Sequence, residues 1–252
     1  DCLALWLADL ARMRPHYRPA TMLTWQRNAW TFVAWLYVTG RLSRDIRLGI
    51  PKVRVPRERL RAVTPATFAR LIEVLSARRL ASGARPRNYY RNIAILHTFW
   101  TTGMRRSELA GARYEHLVLP PADEDDPLAN TLHLPAEITK VRTARIVPLD
   151  ADAAVALADY IRHERGTVDG PLFGMTSDAV KEFLKYLARH TGVRVSSHDF
   201  RRGFASNVRA RGLDLGHTMQ IGGWRSAQMV MMYAESTLDE SAILAYRRLP
   251  AT

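Results

Sequence analysis

The chain of 252 residues is long enough for one large domain or two smaller ones, and 37 Lys and Arg against 24 Asp and Glu give it a formal charge of +13. That imbalance points to a polyanionic partner, and nucleic acid is favoured over a membrane surface. No run approaches the roughly 20 apolar residues of a spanning helix, Asp9 breaks the apolar opening from Leu3 to Leu10, and no secretory signal is read. A single cysteine, Cys2, excludes an intramolecular disulfide and an all-cysteine metal site, as suits a reducing cytoplasm.

In chain order, Leu3, Leu7 and Leu10 form one stripe of a helix over 3–13, and Trp30, Val33 and Tyr37 mark the core face of a longer one over 21–37 after Pro19. The first residue is not methionine, so the N-terminal architecture is expected to be incomplete. From Arg41 to Arg61 eight basic residues stand against Asp45 and Glu58, a net +6 over 21 residues interrupted by Pro51 and Pro56. This reads as an extended basic linker, either an ordinary connector or a strap along a DNA backbone. Domain boundaries are accordingly expected at 1–49, 50–63 and 64–252.

Thr64-Pro65 has the form of an N-cap with proline at the first helical position, opening a helix to about Arg79. Tyr89, Ile93, Leu96 and Trp100 share helical spacing, Gly103 is expected to end that helix left-handed, and a new helix follows from Arg105 to about Ala112. The acidic run 123–126 between prolines reads as a solvated loop. TLHLP (131–135), EITK (137–140) and RIVPL (145–149) predict a small antiparallel meander with its turn near Arg142-Thr143. Helices are expected again at about 150–165, 177–190, 198–211 and 238–247. The fold class is therefore mainly α with a small antiparallel β-sheet. Of the 37 basic residues only Lys52, Lys140, Lys181 and Lys185 are lysine, which fits bidentate phosphate gripping and equally fits genomic base composition. No glycine-rich nucleotide loop, HExxH or GxSxG is present, so neither cofactor nor metal is indicated.

The most distinctive motif is SSHDFRRGFAS (196–206), in which Ser197 is a candidate N-cap and His198 and Arg201 lie three apart on one helix face. Alone, such a pair is more often a solvated face. Its company changes the weight: TTGMRRSEL (101–109) opens a helix on an arginine after a glycine turn, Lys140 stands eight residues before Pro148, and GGW ends at Trp224 with Tyr233 nine residues further on. The chain from about 64 to 235 resembles the tyrosine recombinase, or phage integrase, family, with five motifs in the family's order.

That resemblance implies catalytic roles for Arg105, Lys140, His198, Arg201, Trp224 and Tyr233, with Glu108 in support. Arg106 and Arg202 are demoted by spacing to support or DNA contact, and Arg54, Arg57, Arg59 and Arg61 of the basic linker are further candidate DNA contacts. His217, sixteen residues before Tyr233, is read as a polar residue at a helix end. Nine residues of unbroken helix would turn by about 900° and set Trp224 and Tyr233 on opposite faces, so a break at Arg225-Ser226 is required, with Ser226 as the next N-cap.

Two arginines can neutralise charge on the nonbridging phosphate oxygens, with the indole N–H of Trp224 as a third donor where other members use histidine. The phenol of Tyr233, with a pKa near about 10, needs a base, for which His198 is nearest, and the lysine is implied as general acid. The implied reaction makes a 3′-phosphotyrosyl link and a free 5′-hydroxyl without metal or ATP. The implied partners are double-stranded DNA carrying two recombination sites, a homotetramer assembled on it, and accessory DNA-bending or directionality factors. The expected location is a prokaryotic or phage nucleoid in the cytoplasm. Residues 1–49 would be the closing helices of a core-binding domain, and Ile243, Leu244 and Tyr246 a tail that packs in cis or on a neighbour. A non-catalytic DNA-binding protein of the same fold and a type IB topoisomerase are the alternatives.

Overall fold

Side-chain caps set where half of the helices begin. In the computed structural model, which describes residues 2–56, 60–77, 83–84, 86–119, 129–166, 168–234 and 247, the Asp150, Thr176, Ser196 and Asp214 side chains each accept the backbone N–H three residues on. Thr64 does the same for Thr67 ahead of Pro65. The chain divides into two compact units, Asp1–Glu58 and Arg59–Thr252.

The first unit holds α1 (Cys2–Met13) and α2 (Pro19–Val38). Leu3, Val33 and Ile50 are its buried apolar centre, with Leu7 and Trp30 packed against them. Tyr37, expected to face the core, is 43% exposed, because α2 presents a single narrow stripe to its neighbours. Part of the predicted linker is folded onto this unit. The fully buried Gln26 amide donates to the Pro51 carbonyl (2.8 Å) and accepts from Val53 N–H (2.8 Å), pinning the extended chain to α2.

In the second unit the helices are α3 (Pro65–Ala77), α4 (Tyr89–Thr102), α5 (Arg106–Gly111), α6 (Ala151–Tyr160), α7 (Ser177–Thr191), α8 (Ser197–Ala210), α9 (Leu215–Gly222) and α10 (Ala227–Ala234). α6 runs on into a π-helical turn, Ile161–Arg165, ended by Gly166. Its Glu164 carboxylate accepts the Tyr90 and Arg91 N–H groups (3.0 Å each), capping α4 from outside its own chain segment. α4 is the central core helix: Ala94, Ile95, Leu96 and Phe99 are fully buried, and Phe99 stacks on Phe200 of α8 at 5.6 Å. Each such phenyl ring stabilises the unit by roughly 2–3 kcal/mol.

The sheet is three-stranded and antiparallel, in the order β1 (Leu117–Val118), β2 (Thr131–Leu134), β3 (Arg145–Pro148), with Leu132 opposite Val147 and Leu134 opposite Arg145. One of its three strands is not among those expected: β1 belongs to the sheet and EITK does not. EITK forms a short 3₁₀ turn, Ala136–Ile138, and a loop, because Thr139 is drawn out of strand pairing: its hydroxyl accepts from Thr143 N–H (3.0 Å) and lies within reach of the Ala136 and Thr143 carbonyls. Ser196, not Ser197, caps α8, since its hydroxyl reaches Asp199 in both backbone and carboxylate. The acidic run 123–126, residues 238–246 of the helix expected over 238–247 and, with them, the tail residues Ile243, Leu244 and Tyr246 lie outside the described residues. No described helix is long and apolar enough to cross a membrane.

Candidate active site

The turn TTGMRR builds the first wall. Thr102 closes α4 by donating to the Thr98 carbonyl (2.6 Å), and Gly103 (φ +57°) reverses the chain, where a Cβ would come within 2.4 Å of the Phe204 ring. Arg105 then stands at the N-cap of α5. Glu108, fully buried at the third helical position, reaches back to it: one carboxylate oxygen accepts Arg105 N–H (2.7 Å) and the other Arg105 Nη1 (2.8 Å).

The same carboxylate takes a second guanidinium. Arg145 of β3, its side chain 6% exposed, donates Nη2 (2.7 Å) and Nη1 (3.2 Å) to Glu108 and Nε to the Ile221 carbonyl (2.9 Å). Nothing in the sequence reading singled out Arg145. The available signal was its phase on the strand, two residues from the buried Val147 and on the same face, which forces a buried arginine to find a buried anion.

Three arginines end on three successive carbonyls where α9 terminates. Arg145 Nε binds Ile221 O, Arg201 Nη2 binds Gly222 O (2.6 Å), and Arg105 Nη2 binds Gly223 O (3.2 Å). This is the negative end of the helix dipole, where unsatisfied carbonyls favour cations. Arg201, 3% exposed on α8, also donates Nη1 to the Gly103 carbonyl (2.8 Å), so the glycine turn and the α9 terminus hold it from opposite sides. Its guanidinium lies 4.0 Å from the centre of the Trp224 ring.

Gly223 (φ +64°) ends α9, and the chain runs through Trp224–Ser226 before α10 begins at Ala227. That break lets Trp224 and Tyr233 meet edge to face, with ring centres 6.0 Å apart, in a small apolar cluster with Phe204, Ala205 and Val230. Trp224 is 5% exposed, and its Nε1 is buried without a hydrogen-bond partner among the described residues. The Tyr233 carbonyl accepts from the Ser206 hydroxyl (3.0 Å), and Arg202 lies over the Tyr233 ring at 5.7 Å. Arg202 also binds the Asp199 carboxylate and the Arg61 carbonyl (3.1 Å each), while Val63 N–H donates to Asp199 O (2.9 Å). The segment 61–63 is thereby seated on the first turn of α8.

The arrangement thus brings together Arg105, Glu108, Arg201, Trp224 and Tyr233. His198 and Lys140 are exposed. The loop carrying Lys140 is anchored by the Thr139 hydroxyl and by Arg225, which donates to the Val141 carbonyl (3.0 Å). Arg106 is turned toward α7, its Nε on the Ser177 hydroxyl (2.8 Å) and Asp178 at 3.9 Å. Arg54 and Arg61 are exposed, and Arg57 and Arg59 lie outside the described residues. His217 sits in the first turn of α9, exposed and paired with the N-cap Asp214.

Electrostatically the centre carries an excess of cations. Burial raises the Glu108 pKa, but hydrogen bonds and charge from Arg145, and then Arg105, overcome it and hold the carboxyl below its ordinary value. Burial and the cation of Arg105 push Arg201 down to about 9, so it stays charged at neutral pH. The His198 pKa is lowered, first by partial desolvation and then by Arg202 and Arg201, with Asp199 opposing. The imidazole is therefore neutral near pH 7 and able to accept a proton. Three guanidiniums around one carboxylate leave two positive charges uncompensated at Arg105, Arg145 and Arg201, and an incoming phosphate would balance them.

The sequence profile of the phage integrase family matches residues 70–240, and the chain belongs to that family. It is 26% identical over 211 residues to tyrosine recombinase XerC of Xanthomonas axonopodis pv. citri (strain 306), a match covering 81% of this chain and 63% of that protein. To tyrosine recombinase XerA of Pyrococcus furiosus it is 24% identical over 201 residues, covering 76% and 62%. The chain thus spans about three fifths of the length of these relatives. Among solved structures, the Tn1549 transposon integrase in complex with circular intermediate DNA matches with a TM-score of 0.69 at 14% identity, over 97% of this chain and 83% of that one. A lambda integrase dimer bound to a COC′ core site matches with a TM-score of 0.66 at 14% identity, over 93% and 78%. These likenesses establish the fold.

Proposed function

We propose that the chain acts as a site-specific tyrosine recombinase that cleaves and rejoins double-stranded DNA through a 3′-phosphotyrosyl intermediate. The observation that carries this reading is the convergence of Arg105, Arg201 and the orphaned Trp224 N–H beside Tyr233, in a chain of the phage integrase family.

A DNA diester resists attack because its phosphate is anionic and its leaving group is a poor alkoxide. Arg105 and Arg201 each spend part of their donors on fixed carbonyls, which orients the remaining N–H groups without cost at the moment of reaction. A buried donor left unpaired costs about 1–3 kcal/mol, so the indole N–H of Trp224 gains by finding a nonbridging oxygen. The Tyr233 oxygen attacks phosphorus and its proton passes to neutral His198. The bond from phosphorus to the 5′-oxygen breaks, and Lys140 supplies the proton that the departing oxygen takes. One diester replaces another, so the reverse step rejoins the strand without ATP.

In this reading residues 1–49 belong to a core-binding domain, 50–63 to the linker and 64–252 to the catalytic domain. Arg54, Arg57, Arg59 and Arg61 follow the DNA backbone, and Arg106 and Arg202 support the catalytic arginines. Four protomers act on two sites, with accessory DNA-bending or directionality factors, at a prokaryotic or phage nucleoid.

The test is to incubate the protein with supercoiled plasmid and nicked duplexes from its own genetic neighbourhood, in EDTA, alongside Tyr233→Phe. An SDS-resistant protein–DNA adduct formed by wild type and lost in the variant supports the reading. DNA binding without an adduct would move the assignment to a non-catalytic DNA-binding protein.

A further inference from the structure

We infer that Arg145 is a positioning residue of the site, the group that holds the Glu108 carboxylate in place so that Arg105 meets the scissile phosphate in one fixed orientation. The inference rests on the recombinase reading and adds a residue to it.

Arg145 has spent its fork on the protein. Nε goes to Ile221 O, and Nη1 and Nη2 go to the two oxygens of Glu108, at a side-chain exposure of 6%. It is therefore poorly placed to grip DNA itself, unlike Arg105, which is 18% exposed and bound to Glu108 through one terminal nitrogen. Its bonds also join three separate pieces of the site. β3 carries it and follows the Lys140 loop, α5 supplies Glu108, and the end of α9 leads into Trp224. A Cβ on Gly223 would lie 3.0 Å from Arg145 Nη1, so guanidinium and turn are in direct contact.

The charged groups facing Glu108 are Arg105 at the N-cap of its own helix, Arg145 from β3, and Arg201 from α8. Burial disfavours the carboxylate, and Arg145 is the largest of the influences opposing that. Without Arg145 the carboxyl protonates at higher pH, and a neutral Glu108 no longer holds the Arg105 guanidinium by charge.

The experiment uses full-length protein, single-turnover cleavage of a nicked duplex and a separate measurement of DNA affinity, for Arg145→Met, Arg145→Lys and the double variant Glu108→Gln/Arg145→Met. Displacing a catalytic group by about 1 Å costs on the order of 100-fold in rate, and that loss is expected for Arg145→Met near pH 7 with affinity unchanged. The ratio of wild-type to Arg145→Met rate should fall as pH rises, as Glu108 ionises again. The double variant should be slow with no such recovery. Arg145→Lys keeps the buried charge, so it folds even if the methionine variant does not. It loses the fork, and a rate about tenfold below wild type is expected.

A Lys variant cleaving like wild type, a Met variant slowed equally at every pH, or a loss that tracks DNA affinity overturns the assignment of Arg145 alone. Wild type that binds DNA and forms no adduct overturns the recombinase reading, and this inference with it.

Discussion

Gly222→Ala adds one methyl group where the Trp224 indole lies. A Cβ at position 222 would sit 1.9 Å from an indole carbon, 1.5 Å short of the 3.4 Å at which ordinary contact begins, so the ring must move by about that much. It has little freedom to do so, being held between Arg201 at 4.0 Å from its centre and Tyr233 at 6.0 Å. Overpacking of this kind costs about 1–3 kcal/mol, and the gain in helix propensity from removing a glycine returns at most about 1. With that full return, a net loss of up to about 2 kcal/mol lowers the melting temperature of a chain this size by up to about 8 °C. The chemical cost is larger. In the proposed reaction, a ring displaced by more than about 1 Å would remove one donor from the phosphate and disturb the Tyr233 nucleophile, on the order of 100-fold in cleavage rate, or about 2.7 kcal/mol of barrier. The assay is single-turnover adduct formation on a nicked duplex, with thermal melting in parallel. Gly216→Ala is the control on the same helix, since its Cβ meets only an Asp214 oxygen at 3.1 Å. A Gly222→Ala protein cleaving within about threefold of wild type would refute the argument that Trp224 has one working position.

Glu108→Ala strands Arg145 as a buried, unpaired cation, and a loss of about 3–5 kcal/mol is expected in urea unfolding. Because the folded carboxyl sits below its ordinary pKa, the stability it contributes is fully present above the ordinary carboxylate range and is lost as pH falls through the folded value. The gap between wild type and Glu108→Gln in melting temperature should therefore close on acidification. For His198 the order is inverted: its folded pKa is lowered, so protonation costs stability as pH falls below the ordinary histidine range. Arg202→Met should raise the His198 pKa as followed by NMR titration. Thr139→Val removes the acceptor of Thr143 N–H, worth about 1 kcal/mol, and should slow cleavage without weakening DNA binding if loop order places Lys140. Arg54→Ala and Arg61→Ala should each make the dependence of log affinity on log salt shallower by about 0.9 if those exposed side chains contact phosphate.

Much of the fold was legible because its signals are local. Apolar spacing located α1 to α4, a proline after Thr64 and a glycine after Thr102 marked where helices start and stop, and TLHL and RIVP both form the strands read there. The departures have physical reasons of their own. EITK has strand-like composition, but the Thr139 hydroxyl offers its backbone a tighter set of bonds. Ser197 looks as good a cap as Ser196, and only the reach to Asp199 separates them. α9, left out of the expected helices, is eight residues long with little periodicity to find.

The charge, the ordered motifs and the nine-residue step from Trp224 to Tyr233 are properties of the sequence alone, and they carried the chemistry, since residue types and spacings along a chain are one-dimensional. What only the tertiary structure decided is how the arginines are held. The Ile221, Gly222 and Gly223 carbonyls accept from Arg145, Arg201 and Arg105, residues 76, 21 and 118 positions away. No local pattern encodes such pairings, because backbone carbonyls are the same in every sequence and become cation seats only where a helix end is aimed at them.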